Sequence, residues 1–472
     1  MSEAVAGAAP ARGHETGFGS KSYRTYVLLT LTVVYTFNFI DRILISVVGV
    51  PIINEFGLSQ FQFGLLSGIG FALFYTILGI PIASFSERFN RVIIIGVCVI
   101  LWSIATILCG FAVGFLTLLA ARMLVGIGEA GCTPPANSLI SDYFVPKSRP
   151  TALGIYAMGV TAGGVLAQIF GGSILEIFTW REAFIYVGAP GIVIGILVLL
   201  TVKEPPRGYS DPPGVPKPEK ASFGVAMKEI LSRQTFWVMT VGATLAAFAG
   251  YALVNFQPQH VVFTHGYTPG QTALMFMAPV GAAAVLGTFL GGYVTQRALT
   301  RSETAPCWVP AIAFFFCFPI YGSAFLAGSE YVMLAALMVA AVLQYFYLGA
   351  QYNIAQAVVS LRTRATAIAI LLFVVNLIGY GAGPPTFGII ADALTSNWIA
   401  GSDFAGQITA TCSLTDDSLS GSLREACQSA RAFGIRWACV IATMLFSVAG
   451  LFFLLSGRSF VRESQIKSGS AN

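Results

Sequence analysis

Four charged residues stand in text that otherwise reads as membrane span. They are Asp41 and Arg42 in 37-FNFIDRILIS-46, and Arg122 and Glu129 in 119-LAARMLVGIGEAGCTPPANSLISDYF-144. A charge at mid-membrane costs at least ~2.5–3.5 kcal/mol on insertion scales, so such residues face a protein interior and mark a relay or a ligand path. Arg122 and Glu129 are seven residues apart, about two helical turns, and so share a face. Gly126, Gly128, Ala130 and Gly131 around them let neighbouring helices come close. Pro134 and Pro135 then weaken the helix. A charged, glycine-rich, proline-broken span suits a helix that moves.

Depth arithmetic suggests which charges can meet. If the first span runs outward from near Val27, Asp41 lies ~14 residues, or ~21 Å, along it. The fourth runs inward from near Phe115, which puts Arg122 ~7 residues, or ~11 Å, below the outer edge. In a core of ~30 Å the two depths agree to within a turn, so Asp41 and Arg122 are expected ion-pair partners. Glu129 lies two turns deeper. Arg42 is ~100° around the helix from Asp41, so these neighbours cannot share a target, and Asn38 sits one turn from both. Burial favours the neutral form of a carboxyl group and an adjacent guanidinium favours the charged form. A group under both influences can change protonation when helices separate. Asp41 and Glu129 are therefore expected to exchange a proton, with Arg122 switching between them. A static pair locking the two spans, or direct contact with a substrate, are the alternatives. For Arg42 the planar fork suits an anionic, phosphate-like headgroup, against an interfacial snorkelling role. The second half offers amides and phenols instead. Of these Tyr345, Asn353 and Asn376 join Arg42 and Asn38 as candidate substrate-binding residues, ordinary interhelical hydrogen bonds being the other reading.

The elements that must hold these groups are membrane helices. The 472 residues are 56% hydrophobic and 10% charged, where a soluble protein carries about 25% charged residues. Twelve stretches reach spanning length, at about 25–50, 61–86, 92–112, 115–141, 149–175, 182–203, 234–256, 271–295, 306–327, 330–359, 365–392 and 433–457. With the N-terminus in the cytoplasm, 20 of the 26 Lys and Arg fall on that side. Arg181, Arg424, Arg431 and Arg436 fall on the other, and Arg42 and Arg122 lie within spans. This bias predicts a multi-pass inner-membrane protein with both termini cytoplasmic. The expected divisions are a disordered tail 1–24, a six-helix bundle 25–203, a flexible proline-rich linker 204–233, a second bundle 234–457 with an outer loop 393–432, and a tail 458–472. In that loop Cys412 and Cys427 could pair in an oxidising compartment, or stay free; the other six Cys are read as packing residues. His14, His260, His265 and the cysteines show no metal-ligand spacing, and no cofactor is expected. Sparse basic residues argue against nucleic acid. A membrane enzyme would need a nucleophile–base pair or a metal set, which is not found. A receptor that moves nothing would not need intramembrane charges.

The halves echo each other. The turn 83-ASFSERFNR-91 has a counterpart in 292-GYVTQRALTR-301, and 149-RPTALGI-155 in 364-RATAIAI-370. The offsets are 209 and 215 residues (88 to 297, 149 to 364), which points to a duplicated six-helix unit. At these residues the sequence resembles the major facilitator superfamily. The turn 83–91 is similar to that family's Gly-x-x-x-Asp-Arg-x-Gly-Arg motif, with Ala83, Glu87 and Asn90 departing and Arg88 and Arg91 keeping it. The segment 122-RMLVGIG-128 is similar to Arg-x-x-x-Gly-x-Gly, and 154-GIYAMGVTAGG-164 is a relaxed relative of a glycine-rich antiporter motif. The resemblance implies an all-α fold of twelve helices in two pseudo-symmetric bundles. It also implies a conformational latch from Glu87, Arg88, Arg91 and Arg297, weakened by Gln296. A narrower resemblance, to the Spinster family of lysolipid and sphingosine-phosphate transporters, rests on 37-FNFIDRILIS-46, 64-GLLSGIGFALFY-75, 122-RMLVGIGEAG-131, 180-WREAFIYVGAPG-191 and 202-VKEPPRG-208. It implies a monomeric carrier of amphiphilic anions such as sphingoid phosphates or lysophospholipids, coupled to protons. A small-organic-anion symporter or a drug exporter is the alternative.

Overall fold

The computed structural model describes residues 16–211, 222–409, 411–412 and 421–469. Among the described residues there are helices and no strands. Twelve helices are long and apolar enough to cross a membrane. In chain order α1 to α6 are Lys21–Val47, Gln60–Gly79, Arg91–Gly110, Phe115–Tyr143, Arg149–Leu175 and Trp180–Thr201. The second six, α7 to α12, are Gln234–His265, Pro269–Leu299, Ala305–Leu326, Glu330–Ala357, Arg364–Ala400 and Gly421–Ser464. Helices dominate because lipid cannot hydrogen-bond a backbone, so each span must satisfy its own N–H and C=O groups. An even number of crossings leaves the residues before α1 and after α12 on one side, termed the terminal side. The opposite side is the far side.

Several spans are interrupted. The helix Phe115–Glu129 breaks at 130–132 and resumes as Thr133–Tyr143, whose first turn takes Pro134, where a missing N–H costs nothing. A π-helical stretch, Thr272–Met277, opens α8, and another, Val375–Gly381, divides α11. Such bulges collect at functional sites. The run 379-GYGAGPP-385 is thus both a backbone irregularity and a close-packing site, since Gly383 faces the Phe248 carbonyl of α7.

Helices extend past several expected ends. The seventh span continues to His265, because Gln257, Gln259 and His260 are buried in protein. The expected loop 393–432 is helical to Ala400 and again from Gly421. Cys412, which lies between these helices, is disulfide-bonded to Cys427 in the first turns of the second, inside a small apolar cluster with Ile399, Ile408, Ala426 and Ala430. The expected tail 1–24 is helical from Lys21, and the Phe18 N–H donates to the Tyr143 carbonyl at 3.2 Å. Nor is the start of the linker loose. The Gly208 N–H donates to Asp142 Oδ1 at 2.8 Å, Ser210 Oγ to the Asp142 carbonyl at 2.6 Å, and Arg149 pairs with Asp211 at 3.0 Å. Residues 212–221 of that linker lie outside the described residues.

Contacts between the halves gather toward the far side. There α2 begins against α11, with Gly64 facing Pro384 and Pro385, and Gly388 facing the Gln60 carbonyl. The Asp392 carboxylate accepts the Gln60 and Phe61 N–H groups, both at 2.9 Å. Thr268 Oγ1 donates to Glu176 at 2.7 Å, and buried Arg431 to Asn54 Oδ1 at 3.1 Å. Phe63 meets Phe256 edge-on at 5.5 Å. Bonds to a charged group contribute about 1.5–3 kcal/mol each. Asp392→Ala should therefore weaken the far-side contact between the halves by about tenfold or more. Spin labels on the far-side ends of α2 and α11 would report this as a longer distance; an unchanged distance distribution would mean that Asp392 does not hold these two helices together.

Candidate functional site

The intramembrane charges meet as two buried pairs. Arg122 Nη1 lies 3.5 Å from Asp41 Oδ1, and Thr106 of α3 donates its hydroxyl to Asp41 Oδ2. Arg42 Nη2 lies 2.9 Å from Glu129 Oε2. Arg122 and Glu129 are fully buried, Asp41 is 1% exposed and Arg42 7% exposed. Asp41 and Arg42, adjacent in sequence, thus turn to different partners.

In this conformation Arg122 pairs with Asp41 and Arg42 with Glu129, so Arg122 does not bridge the two acids. Glu129 is two turns along Arg122's own helix, ~10 Å away, whereas Arg42 reaches it from α1. Packing then fixes Arg42 in an aromatic cage, its guanidinium 4.8, 4.6 and 4.6 Å from the ring centres of Phe39, Phe71 and Tyr75. Cation–π contacts of this kind hold a guanidinium where water is scarce.

Neither pair is saturated. Arg42 Nε, Arg122 Nε and Nη2, and Glu129 Oε1 are buried and have no hydrogen-bond partner in the protein among the described residues. Buried polar groups left without a protein partner are costly. Arg42 also feels Tyr75 and, from the second half, Tyr251. Two aromatic walls continue from there. In the first half Tyr35 stacks on Tyr156 at 4.5 Å and Phe71 on Tyr75 at 5.5 Å. In the second Tyr251 leans on Tyr380 at 5.0 Å, and Tyr352 lies near Tyr75. Tyr35, Tyr75, Tyr251, Tyr352 and Tyr380 are all half-buried, as residues lining a space between the halves would be.

The other candidates divide. Asn38 is buried, Tyr345 is half-buried at the break in α10, and Asn376 is half-buried in the α11 π-segment. Asn353 is exposed, while its neighbour Tyr352 is the side chain near the first half. Two second-half amides make ordinary packing bonds: Gln344 accepts from Tyr321 Oη at 2.5 Å, and Asn255 donates to the Tyr251 carbonyl at 2.8 Å. Sequence reasoning missed Thr106, which carries no signal in an apolar span.

Of the expected latch, Arg91 is buried and multiply bonded within the first half, while Glu87, Arg88 and Arg297 are exposed. Arg91 pairs with Asp142 at 2.5 Å and Glu204 at 2.6 Å, and donates to Ser138 Oγ and the Pro205 carbonyl. Neither acid is marked in the sequence as a partner of Arg91, because they lie 51 and 113 residues away from it. Among the described residues there is no cluster of His, Cys, Asp and Glu that could hold a metal.

Residues 31–400 match the Major Facilitator Superfamily. An MFS-type efflux pump of Mycolicibacterium smegmatis is 28% identical over 373 residues, covering 78% of this chain and 84% of that protein. A sphingosine-1-phosphate transporter of Danio rerio is 25% identical over 381 residues, covering 76% and 75%. Among solved structures, a bacterial homolog to the human lysosomal transporter Spinster, inward-facing and unoccupied, superposes with a TM-score of 0.87 at 42% identity, covering 94% of this chain and 99% of that one. With the twelve-helix fold and the matched residues in hand, this chain belongs to the major facilitator superfamily and, within it, to the Spinster family of transporters.

Proposed function

We propose that this transporter carries an amphiphilic anionic lipid, a sphingoid phosphate or lysophospholipid, by alternating access coupled to protons. The observation that carries the reading is the pair of unsaturated buried ion pairs, Arg42–Glu129 and Arg122–Asp41, set against tyrosine-lined walls from both halves. A carboxylate whose guanidinium partner leaves can take a proton, and a guanidinium whose carboxylate is protonated can turn to an anionic headgroup. Arg42 would then exchange Glu129 for the substrate, and protonation of Glu129 would free it. Aromatic walls suit the apolar tail. The Danio rerio relative, a sphingosine-1-phosphate transporter, supports the lipid class. The Mycolicibacterium relative, an efflux pump, favours the second reading, export of a drug or movement of a small organic anion through the same site.

The bias of 20 Lys and Arg against four supports an inner-membrane protein with both termini in the cytoplasm. The far-side closure is then the extracytoplasmic gate, and the described conformation is inward-facing. The unit that carries out the cycle is taken as a monomer.

Proteoliposomes test the coupling and the cargo together. With a sphingoid phosphate or a lysophospholipid as substrate, a pH gradient should accelerate flux through the wild type. Glu129→Gln should remove that acceleration. Flux that ignores both the gradient and Glu129 would make the pairs a structural lock. If neither lipid moves while a small anion or a cationic dye does, the lipid reading falls and the second reading stands.

A further inference from the structure

The terminal-side ends of α7 and α12 border a half-open crevice of about 400 Å³, distinct from the space between the halves. Its polar rim carries Arg458 and Arg462 of α12 and Gln234 of α7. Its deeper lining is apolar, from Val238, Phe452 and Leu455. Arg458 and Arg462 are four residues apart, so both guanidiniums stand on one helix face. Both are exposed, and neither forms an ion pair with a carboxylate among the described residues. The nearest acid in sequence, Glu463, is committed elsewhere: it accepts the Gln234 and Thr235 N–H groups at 3.1 and 3.2 Å. Ser459 is likewise taken, its hydroxyl bonded to Thr235 at 2.7 Å. A turn or two deeper, Val241, Leu451 and Leu454 expose apolar side chains on the same two helices, a surface that lipid would cover.

Two unneutralised guanidiniums above an apolar crevice at the edge of the membrane have the form of a phospholipid: anion outside, acyl chain beneath. We propose that this crevice binds the headgroup phosphate of an anionic membrane phospholipid through Arg458 and Arg462, with the acyl chain against Val238, Phe452 and Leu455. The forked guanidinium matches phosphate oxygens, and basic pockets between spans are a recognised basis for anionic-lipid selection. The bound molecule belongs to the surrounding leaflet and is separate from the cargo. By joining α7 to α12 it would brace the second half on the side where the linker enters it.

Native mass spectrometry of the full chain in detergent tests this. Phosphatidylglycerol and phosphatidylcholine with identical acyl chains would be titrated in competition. The wild type should prefer phosphatidylglycerol on the order of tenfold. Arg458→Gln with Arg462→Gln should abolish the preference without changing the lipid-free melting temperature, and Arg458→Lys with Arg462→Lys should retain most of it. Arg42→Gln should leave the preference intact. The proposal is overturned if the double Gln variant still selects phosphatidylglycerol. It is also overturned if Arg42→Gln removes the selection, which would make the bound lipid cargo. If inorganic phosphate alone raises the wild-type melting temperature as phosphatidylglycerol does, the site takes free phosphate and the lipid assignment fails.

Discussion

Replacing Gly64 with Val should cut transport by roughly fivefold or more while leaving the protein folded. A Cβ built at Gly64 comes within 2.5 Å of the Pro384 carbonyl oxygen and of Pro385 Cα. Both are backbone atoms, and Pro384 and Pro385 restrict the local chain, so α11 cannot yield by rotating a side chain. Overpacking costs roughly 1–3 kcal/mol. Under the proposed alternation that cost falls on the far-closed state alone, because α2 and α11 part in the other. The equilibrium between the two states then moves by roughly fivefold to over a hundredfold. A cysteine placed on the far-side end of α11 should become reactive to a membrane-impermeant thiol reagent in the Gly64→Val background. The melting temperature should hold, since no contact within either half is broken. Gly292 has open space around it, so Gly292→Val serves as the control and should transport as the wild type does. Equal damage from both variants would show that the loss comes from helix insertion or folding and not from the gate.

How much of this site was legible before the fold depended on what each feature rests on. Spans follow from apolar runs, and the glycines of α4 mark close packing; both are local properties of text. The depth of Asp41 relative to Arg122 was legible too, because a helix rises by a fixed amount per residue. The separate destinations of Asp41 and Arg42 followed from the ~100° between neighbours on a helix. Which residue Arg42 reaches did not, because that depends on how α1 is rotated against α2 and α4. Its cage of Phe39, Phe71 and Tyr75 is a product of the same rotation. The end of α7 was hidden for another reason. Residues 257-QPQH-260 are polar in sequence but buried in protein, and hydropathy cannot tell a polar residue that leaves the membrane from one that other helices enclose. The linker misled in the opposite way. Residues 204–211 look like a proline-rich tether, yet Asp142 and Arg91 each bond to them. Composition reports what a segment could do alone, not what it finds to bind.

That last contact carries the second large effect. Arg91→Ala should be the most destabilising single change on the terminal side. The Arg91 guanidinium is fully buried and uses all three of its nitrogens: Nε to Glu204, Nη1 to Asp142 and Ser138, Nη2 to the Pro205 carbonyl. Glu204 Oε2 also accepts the Arg91 and Val92 N–H groups, closing the start of α3. Three elements, α3, α4 and the chain leaving α6, are thereby fastened through one side chain. Its removal leaves two carboxylates with side-chain exposures of only 10% and 21% facing each other without a cation. Breaking a buried pair from one side costs roughly 3–5 kcal/mol, which for a six-helix bundle lowers the melting temperature by about 6–20 °C. Arg91→Lys should recover little, because one ammonium cannot serve four acceptors spread around a planar fork. Arg88→Ala, at an exposed position three residues earlier in the same turn, should stay within ~0.5 kcal/mol of the wild type. Thermal unfolding of the three variants in detergent decides the matter. Full recovery by Arg91→Lys would reduce Arg91 to a point charge, and an Arg88→Ala loss as large as that of Arg91→Ala would move the fastening from the buried network to the exposed turn.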